Sequence, residues 1–374
     1  MKKLVLEAVA VLAVAVVVLL AIEGAWSLIR WKVPHESVTY AALRWVNAQV
    51  TGKYLRDDEQ LPGVLSDAAE IEALLPLLVG QGVAMGNVPY AELDTARSRM
   101  NAIVDGCYAL QPNLDKTVFH LRTRLFNPLD PISVFYDTGT ELDPALQEFF
   151  ATYGLPSVRV TTNASGERTT VPLVERDRKV LIAGDSIAFG AMIGDADTLA
   201  SQLQRLDPER QYISTGVGGA DARDVICNLD RAASRYAGEI DALIYLYSET
   251  DFNQSLEFGE PEPVIARLAE FAAANDLEPD RISIVYAPSI YNVVPQFTRF
   301  DGYRGGDAAT YADQKQRLEV ATGAAGFRWF DIAAIMQEEN AAYGTQFATL
   351  HNFVDHSHLS PWGMRRLAET LDAD

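Results

Sequence analysis

Lys179-Val-Leu-Ile-Ala-Gly-Asp-Ser186 (KVLIAGDS) is the stretch on which the fold turns. A short apolar, β-prone run stops abruptly at Gly184-Asp185-Ser186, with helical spacing beyond it. Such a run is too short for a helix and too uniformly apolar for a strand with one wet face, so it reads as a strand buried on both sides. Four further runs of the same kind follow: Gln211–Thr215 (QYIST), Ala242–Tyr247 (ALIYLY), Ile282–Ala287 (ISIVYA) and Phe327–Ile332 (FRWFDI). Segments of helical periodicity lie between them, namely Asp221 to Tyr236, Pro261 to Asn275 and Ala308 to Ala321. Strands alternating with helices predict a parallel sheet covered on both faces, an α/β domain. In open sheets of that kind a site lies outside the carboxyl ends of the strands.

The chemistry-bearing residues fall at that edge. Ser186 follows the first strand directly, at a predicted helix start whose free N–H groups can stabilise developing negative charge. Gly184 allows the tight turn that would bring the hydroxyl to the sheet edge. Gly-Asp-Ser is a common tripeptide, and Asp-Ser is also ordinary helix-cap chemistry. Near the other end stands Asp355-His356-Ser357-His358, followed by Leu359, Ser360, Pro361 and a helix-like stretch to Leu371. An Asp three residues before a His can fold back and orient the imidazole, which can then take the proton of a serine hydroxyl. A capping Asp beside a surface His is the plainer alternative.

Taken together, these motifs resemble those of the SGNH (GDSL) hydrolase family over about residues 178 to 374. The resemblance implies a flavodoxin-like three-layer α/β/α fold with a parallel five-stranded sheet. It implies a catalytic Ser186, His358 as its base and Asp355 as the orienting carboxylate, with no cofactor and no metal. It also implies an oxyanion hole from the Ser186 amide, the Gly219 amide and a third residue. Gly219 closes the block Ser214-Thr215-Gly216-Val217-Gly218-Gly219 after the second strand. The third block departs from the family pattern. Ser248-Glu249-Thr250-Asp251 places Thr250 where the family has Asn, and Thr offers one hydroxyl donor on a shorter arm. Asn253 is a conceivable substitute donor.

Two other chemistries compete. His351, Asp355, His356 and His358 crowd together as zinc ligands might, though without HExxH or CxxC. An α/β-hydrolase elbow would require G-x-S-x-G, and Ala188 stands where its last Gly should be.

Outward from the site, the chain divides into residues 1–35, 36–155 and 156–374. After Lys2 and Lys3 the run Leu4 to Ile22 is apolar except for Glu7, and about 19 residues nearly suffices to cross a bilayer. The expectation is a transmembrane anchor with the N-terminus inside and the rest on the outer, periplasmic or extracellular side. A signal peptide cleaved near Ala25-Trp26-Ser27 is the competing reading. Residues 36–155 read as a mainly helical accessory region, with helical spacing over Val38 to Val50 and Tyr90 to Val104, a helix capped by Ser66, and another from Pro144 to Tyr153. Short strands are expected at Val158 to Thr162 and Arg168 to Val174, around a turn at Ser165-Gly166.

A chain of 374 residues with 48% apolar and 22% charged residues has ordinary globular composition. Its net charge of −20 argues against nucleic acid as a partner, because phosphates would be repelled. The expected partners are an acylated glycan or lipid substrate and the membrane through the N-terminal helix. Cys107 and Cys227 can pair outside the cytoplasm, but two separate buried thiols are the favoured reading.

Overall fold

The structure is a computed structural model that describes residues 18, 21–22, 64–65, 100–123, 134–138, 157–248, 260–287, 308–336 and 358–373. Its strands are β1 (Val64–Leu65), β2 (Asn101–Val104), β3 (Cys107–Leu110), β4 (Asp115–Thr123), β5 (Val134–Thr138) and β6 (Ser157–Thr161). After these come β7 (Lys179–Gly184), α1 (Ser186–Phe189), α2 (Leu199–Leu206), β8 (Gln211–Ser214), α3 (Ala222–Arg235) and β9 (Ile240–Ser248). The remainder is α4 (Pro261–Ala274), β10 (Ile282–Ala287), α5 (Ala308–Ala324), β11 (Arg328–Asp331) and α6 (Pro361–Ala373).

The last five strands form one parallel sheet in the spatial order β8-β7-β9-β10-β11. In order of appearance this is 2-1-3-4-5, the flavodoxin-like doubly wound arrangement. Side-chain alternation divides the core in two. Val180, Ile182, Ile244, Leu246 and Val285 face α2 and α6, which bring Leu199, Leu203, Met364, Leu367 and Leu371. Leu181, Ala183, Leu243, Tyr245 and Ile284 face α3 and α4, which bring Val225, Leu229, Val264, Leu268 and Phe271. The central stretches of β7, β9 and β10 are largely apolar because each face supplies one of these cores. The order reverses between β7 and β9, so their carboxyl ends define the crevice where a site is expected.

The described part of the accessory region differs from the expectation. Helical spacing over Tyr90 to Val104 predicts a helix, yet Asn101–Val104 is a strand paired antiparallel with Cys107–Leu110. The deciding signal is Asp105-Gly106, whose φ values of 52° and 86° make the left-handed two-residue turn that closes a hairpin. β4 pairs with β5 and β6, again antiparallel, so among the described residues from 64 to 138 every regular element is a strand. The predicted helices at Val38 to Val50, after Ser66 and at Pro144 to Tyr153 lie outside the described residues. The strand expected at Arg168 to Val174 is also absent. Arg168 makes only single bridges to Thr162 and Ser214, and Leu173 is 76% exposed.

The two cysteines are bonded to each other rather than separate thiols. Cys107 on β3 and Cys227 on α3 form a disulfide with Cα atoms 5.6 Å apart. The pairing is set by the hairpin's position against α3, which spacing in the sequence does not reveal. Of the apolar run Leu4 to Ile22, only Val18, Ala21 and Ile22 are described, all helical and exposed. Among the described residues no helix is long and apolar enough to cross a membrane.

Candidate active site

β7 ends at Gly184, whose φ of +150° and neighbours leave room for no other residue. A Cβ there would lie 2.8 Å from the Leu246 carbonyl oxygen and 2.9 Å from the Ala188 Cβ. Asp185 follows, 3% exposed. Its Oδ1 accepts the Ile187 amide at 2.9 Å, capping α1, and its Oδ2 accepts the Ser248 hydroxyl at 2.8 Å. Asp185 therefore ties the carboxyl end of β7 to that of β9 across the reversal of strand order. Ser186 sits on this tie, half-buried, with its carbonyl accepting the Ala191 amide at 2.9 Å.

His358 arrives from the opposite end of the chain. Leu359 and Ser360 beside it are buried, and the Ser360 hydroxyl accepts the Gly363 amide at 3.1 Å at the start of α6. Pro361 at the first helical position suits that start, since it has no N–H to satisfy. The stripe Met364, Leu367, Ala368 and Leu371 then seats α6 against α2. The result is a distance of 2.8 Å between His358 Nε2 and Ser186 Oγ. That is hydrogen-bond reach for a base and a nucleophile.

The turn after α1 is gripped from behind by Arg168, which is fully buried. Its guanidinium donates to the carbonyls of Phe189 (2.8 Å), Gly190 (3.0 Å) and Ile193 (2.6 Å) and to Asp195 Oδ1 (2.8 Å). It also lies 4.6 Å from the centre of the Phe189 ring. Burial pulls its pKa below the ordinary arginine value, and the Asp195 carboxylate opposes that shift.

The Ser214–Gly219 segment packs on the other side of α1. The Ser214 hydroxyl donates to the Ala188 carbonyl at 2.9 Å. Gly216 lies so close that a Cβ would come within 2.3 Å of the Phe189 nitrogen. Gly219 is exposed at the end of this segment, with φ of 79°, while its neighbours Val217 and Ala220 are buried.

The structure thus brings Ser186 and His358 together and carries Gly219 on a segment packed against the same short helix. Asp355 and Thr250 lie outside the described residues, as do Asn253, His351 and His356. Among the described residues no group of three or more His, Cys, Asp or Glu side chains could hold a metal ion. Sequence reasoning missed three contributors: the Ser248 hydroxyl, the Arg168 grip and the hairpin behind Gly218. Only the hairpin had a readable signal, in Asp105-Gly106.

No protein-family model matches the chain, and no curated protein matches it. Solved structures are similar to about half of it. A lipolytic protein of the G-D-S-L family from Veillonella parvula is 13% identical, with 51% of this chain and 94% of that chain covered and a TM-score of 0.38. A carbohydrate acetylesterase family member from Sinorhizobium meliloti is 17% identical, covering 52% and 96%, with a TM-score of 0.38. The chain is similar in the same way to a lipase/acylhydrolase from Enterococcus faecalis, at 14% identity, 52% and 94% coverage and a TM-score of 0.40.

Proposed function

We propose that this chain is an exported serine ester hydrolase of SGNH type that removes a short O-acyl group, acetyl foremost, from an envelope or extracellular glycan or lipid. The observation that carries the reading is the 2.8 Å contact between His358 Nε2 and Ser186 Oγ at the point where strand order reverses. In the reaction Ser186 Oγ attacks the ester carbonyl carbon while its proton passes to His358 Nε2. The amides of Ser186 and Gly219, with the Thr250 hydroxyl, receive the charge on the carbonyl oxygen. Collapse expels the alcohol, which takes the proton from His358 and leaves an acyl-serine. Water then attacks the acyl carbon as His358 takes its proton, and the bond to Ser186 Oγ breaks as that oxygen recovers the proton, releasing the acid. Asp355 orients the imidazole.

Two features support the outward address. Lys2 and Lys3 precede the apolar run Leu4 to Ile22, and the Cys107–Cys227 disulfide suits an oxidising compartment.

The test uses the detergent-solubilised full chain with a fluorophosphonate probe and p-nitrophenyl acetate. Wild type is expected to be labelled and to hydrolyse the ester. Ser186→Ala should abolish labelling, and His358→Ala should lower kcat by about 10²–10⁴-fold. A wild type that is neither labelled nor active overturns the hydrolase and leaves a glycan-binding module. Labelling with poor hydrolysis that an added acceptor glycan accelerates identifies an O-acyltransferase instead.

A further inference from the structure

The hairpin β2–β3 reaches the candidate site from outside the α/β sandwich. Asn101, at its start, is 8% exposed. Its Nδ2 donates to the Tyr108 hydroxyl at 2.5 Å and to the Gly218 carbonyl at 3.4 Å. The hairpin itself is fastened to α3 beside this contact. Cys107 is bonded to Cys227, and Asn228 Nδ2 donates to the Tyr108 carbonyl at 2.6 Å and to the Asp224 carbonyl at 2.9 Å. Leu110 is buried in the core shared with α3.

We infer that this hairpin positions the oxyanion-forming loop, with Asn101 as a positioning residue that fixes the Gly218–Gly219 peptide. The inference rests on the hydrolase reading above. In a trans peptide the carbonyl and the following N–H point to opposite sides. A donor that holds the Gly218 carbonyl on the hairpin side therefore turns the Gly219 N–H away from the hairpin. Gly219 itself is exposed, while Val217 and Ala220, which flank the Gly218–Gly219 pair, are 2% and 1% exposed. A peptide between two glycines rotates with little steric resistance, so it needs an external hold. A hydrogen bond to the carbonyl also polarises the peptide and makes its N–H a better donor. Gly218 lies against the Phe189 ring, where a Cβ would be 3.8 Å from Cδ1, so the held peptide stays beside the helix that Ser186 begins.

The test compares wild type, Asn101→Asp, Asn101→Leu and, on the same hairpin, Ile103→Ser, whose residue is 71% exposed. Each full-length protein is assayed for fluorophosphonate labelling, kcat and KM on p-nitrophenyl acetate, inhibition by a short alkylboronic acid, and melting temperature. The boronate adduct on Ser186 places a negatively charged oxygen where the oxyanion forms. Asn101→Leu, which loses the donor without adding a charge, and Asn101→Asp, which replaces the donor by a carboxylate, are both expected to lower kcat about tenfold or more and to weaken boronate binding in step. KM should stay within about twofold, because the lost interaction belongs to the transition state. Ile103→Ser should behave as wild type. Should Asn101→Leu fold poorly, Asn101→Asp, with its melting temperature read beside its kcat, still decides the matter. An active wild type beside Asn101→Asp with unchanged kcat and boronate affinity overturns the positioning role alone. A wild type inert to probe and ester overturns the hydrolase reading and the hairpin's role with it.

Discussion

Arg168 and Gly216 pack on the two sides of the turn that presents Ser186. The buried guanidinium of Arg168 satisfies three carbonyls and one carboxylate at once. Arg168→Met leaves all four without that donor and Asp195 without its countercharge, so unfolding in urea should show a loss of about 3–5 kcal/mol. Arg168→Lys should recover little of it, because an ammonium group cannot reproduce the planar fork. At Gly216 a methyl group would meet backbone at 2.3 Å and 2.5 Å, which cannot yield as a flexible side chain would. Gly216→Ala should therefore cost about 1–3 kcal/mol or more in the same measurement, and should slow fluorophosphonate labelling by displacing α1. Ser186, Gly219 and His358 could be picked out in the sequence because each stands beside a strand end or a helix start. Arg168 could not, since an arginine in a polar stretch reads as solvated until its burial is seen.

At the scale of elements, legibility followed burial on two faces. The β7, β8, β9, β10 and β11 strands are apolar runs bounded by polar turns, and they were readable to within a residue or two. The hairpin was not, because the apolar positions from Tyr90 to Val104 also fit helical spacing, and the turn at Asp105-Gly106 lies just beyond that stretch. α6 was readable as a helix, but its partner was not. Its stripe packs on α2, and this contact sets the position of His358. Leu367, 2% exposed, is the centre of that stripe. Leu367→Ala should cost about 2–5 kcal/mol of stability by urea unfolding, and ester turnover should fall with it as His358 loses its support.

For the molecule as a whole, the disulfide joins points 120 residues apart and so binds the strand-rich segment to the α/β sandwich. Closing a loop of that length stabilises the folded state by roughly 5 kcal/mol on the chain-entropy account. Reduction, or Cys107→Ser with Cys227→Ser, should lower the urea midpoint correspondingly, and dithiothreitol should have no further effect on the double variant. This connection could not be read from the sequence, since two cysteines define one possible pair but not whether the fold brings them together. The doubly wound sheet could be read, because strand and helix alternate strictly after Lys179. The Ser186–His358 contact spans 172 positions, and that separation has a consequence in time. Ribosomes deliver β7 through β11 before the segment that bears the imidazole. On the proposed mechanism, the Ser186 hydroxyl of a nascent chain lacks its His358 partner until α6 has been made and has docked.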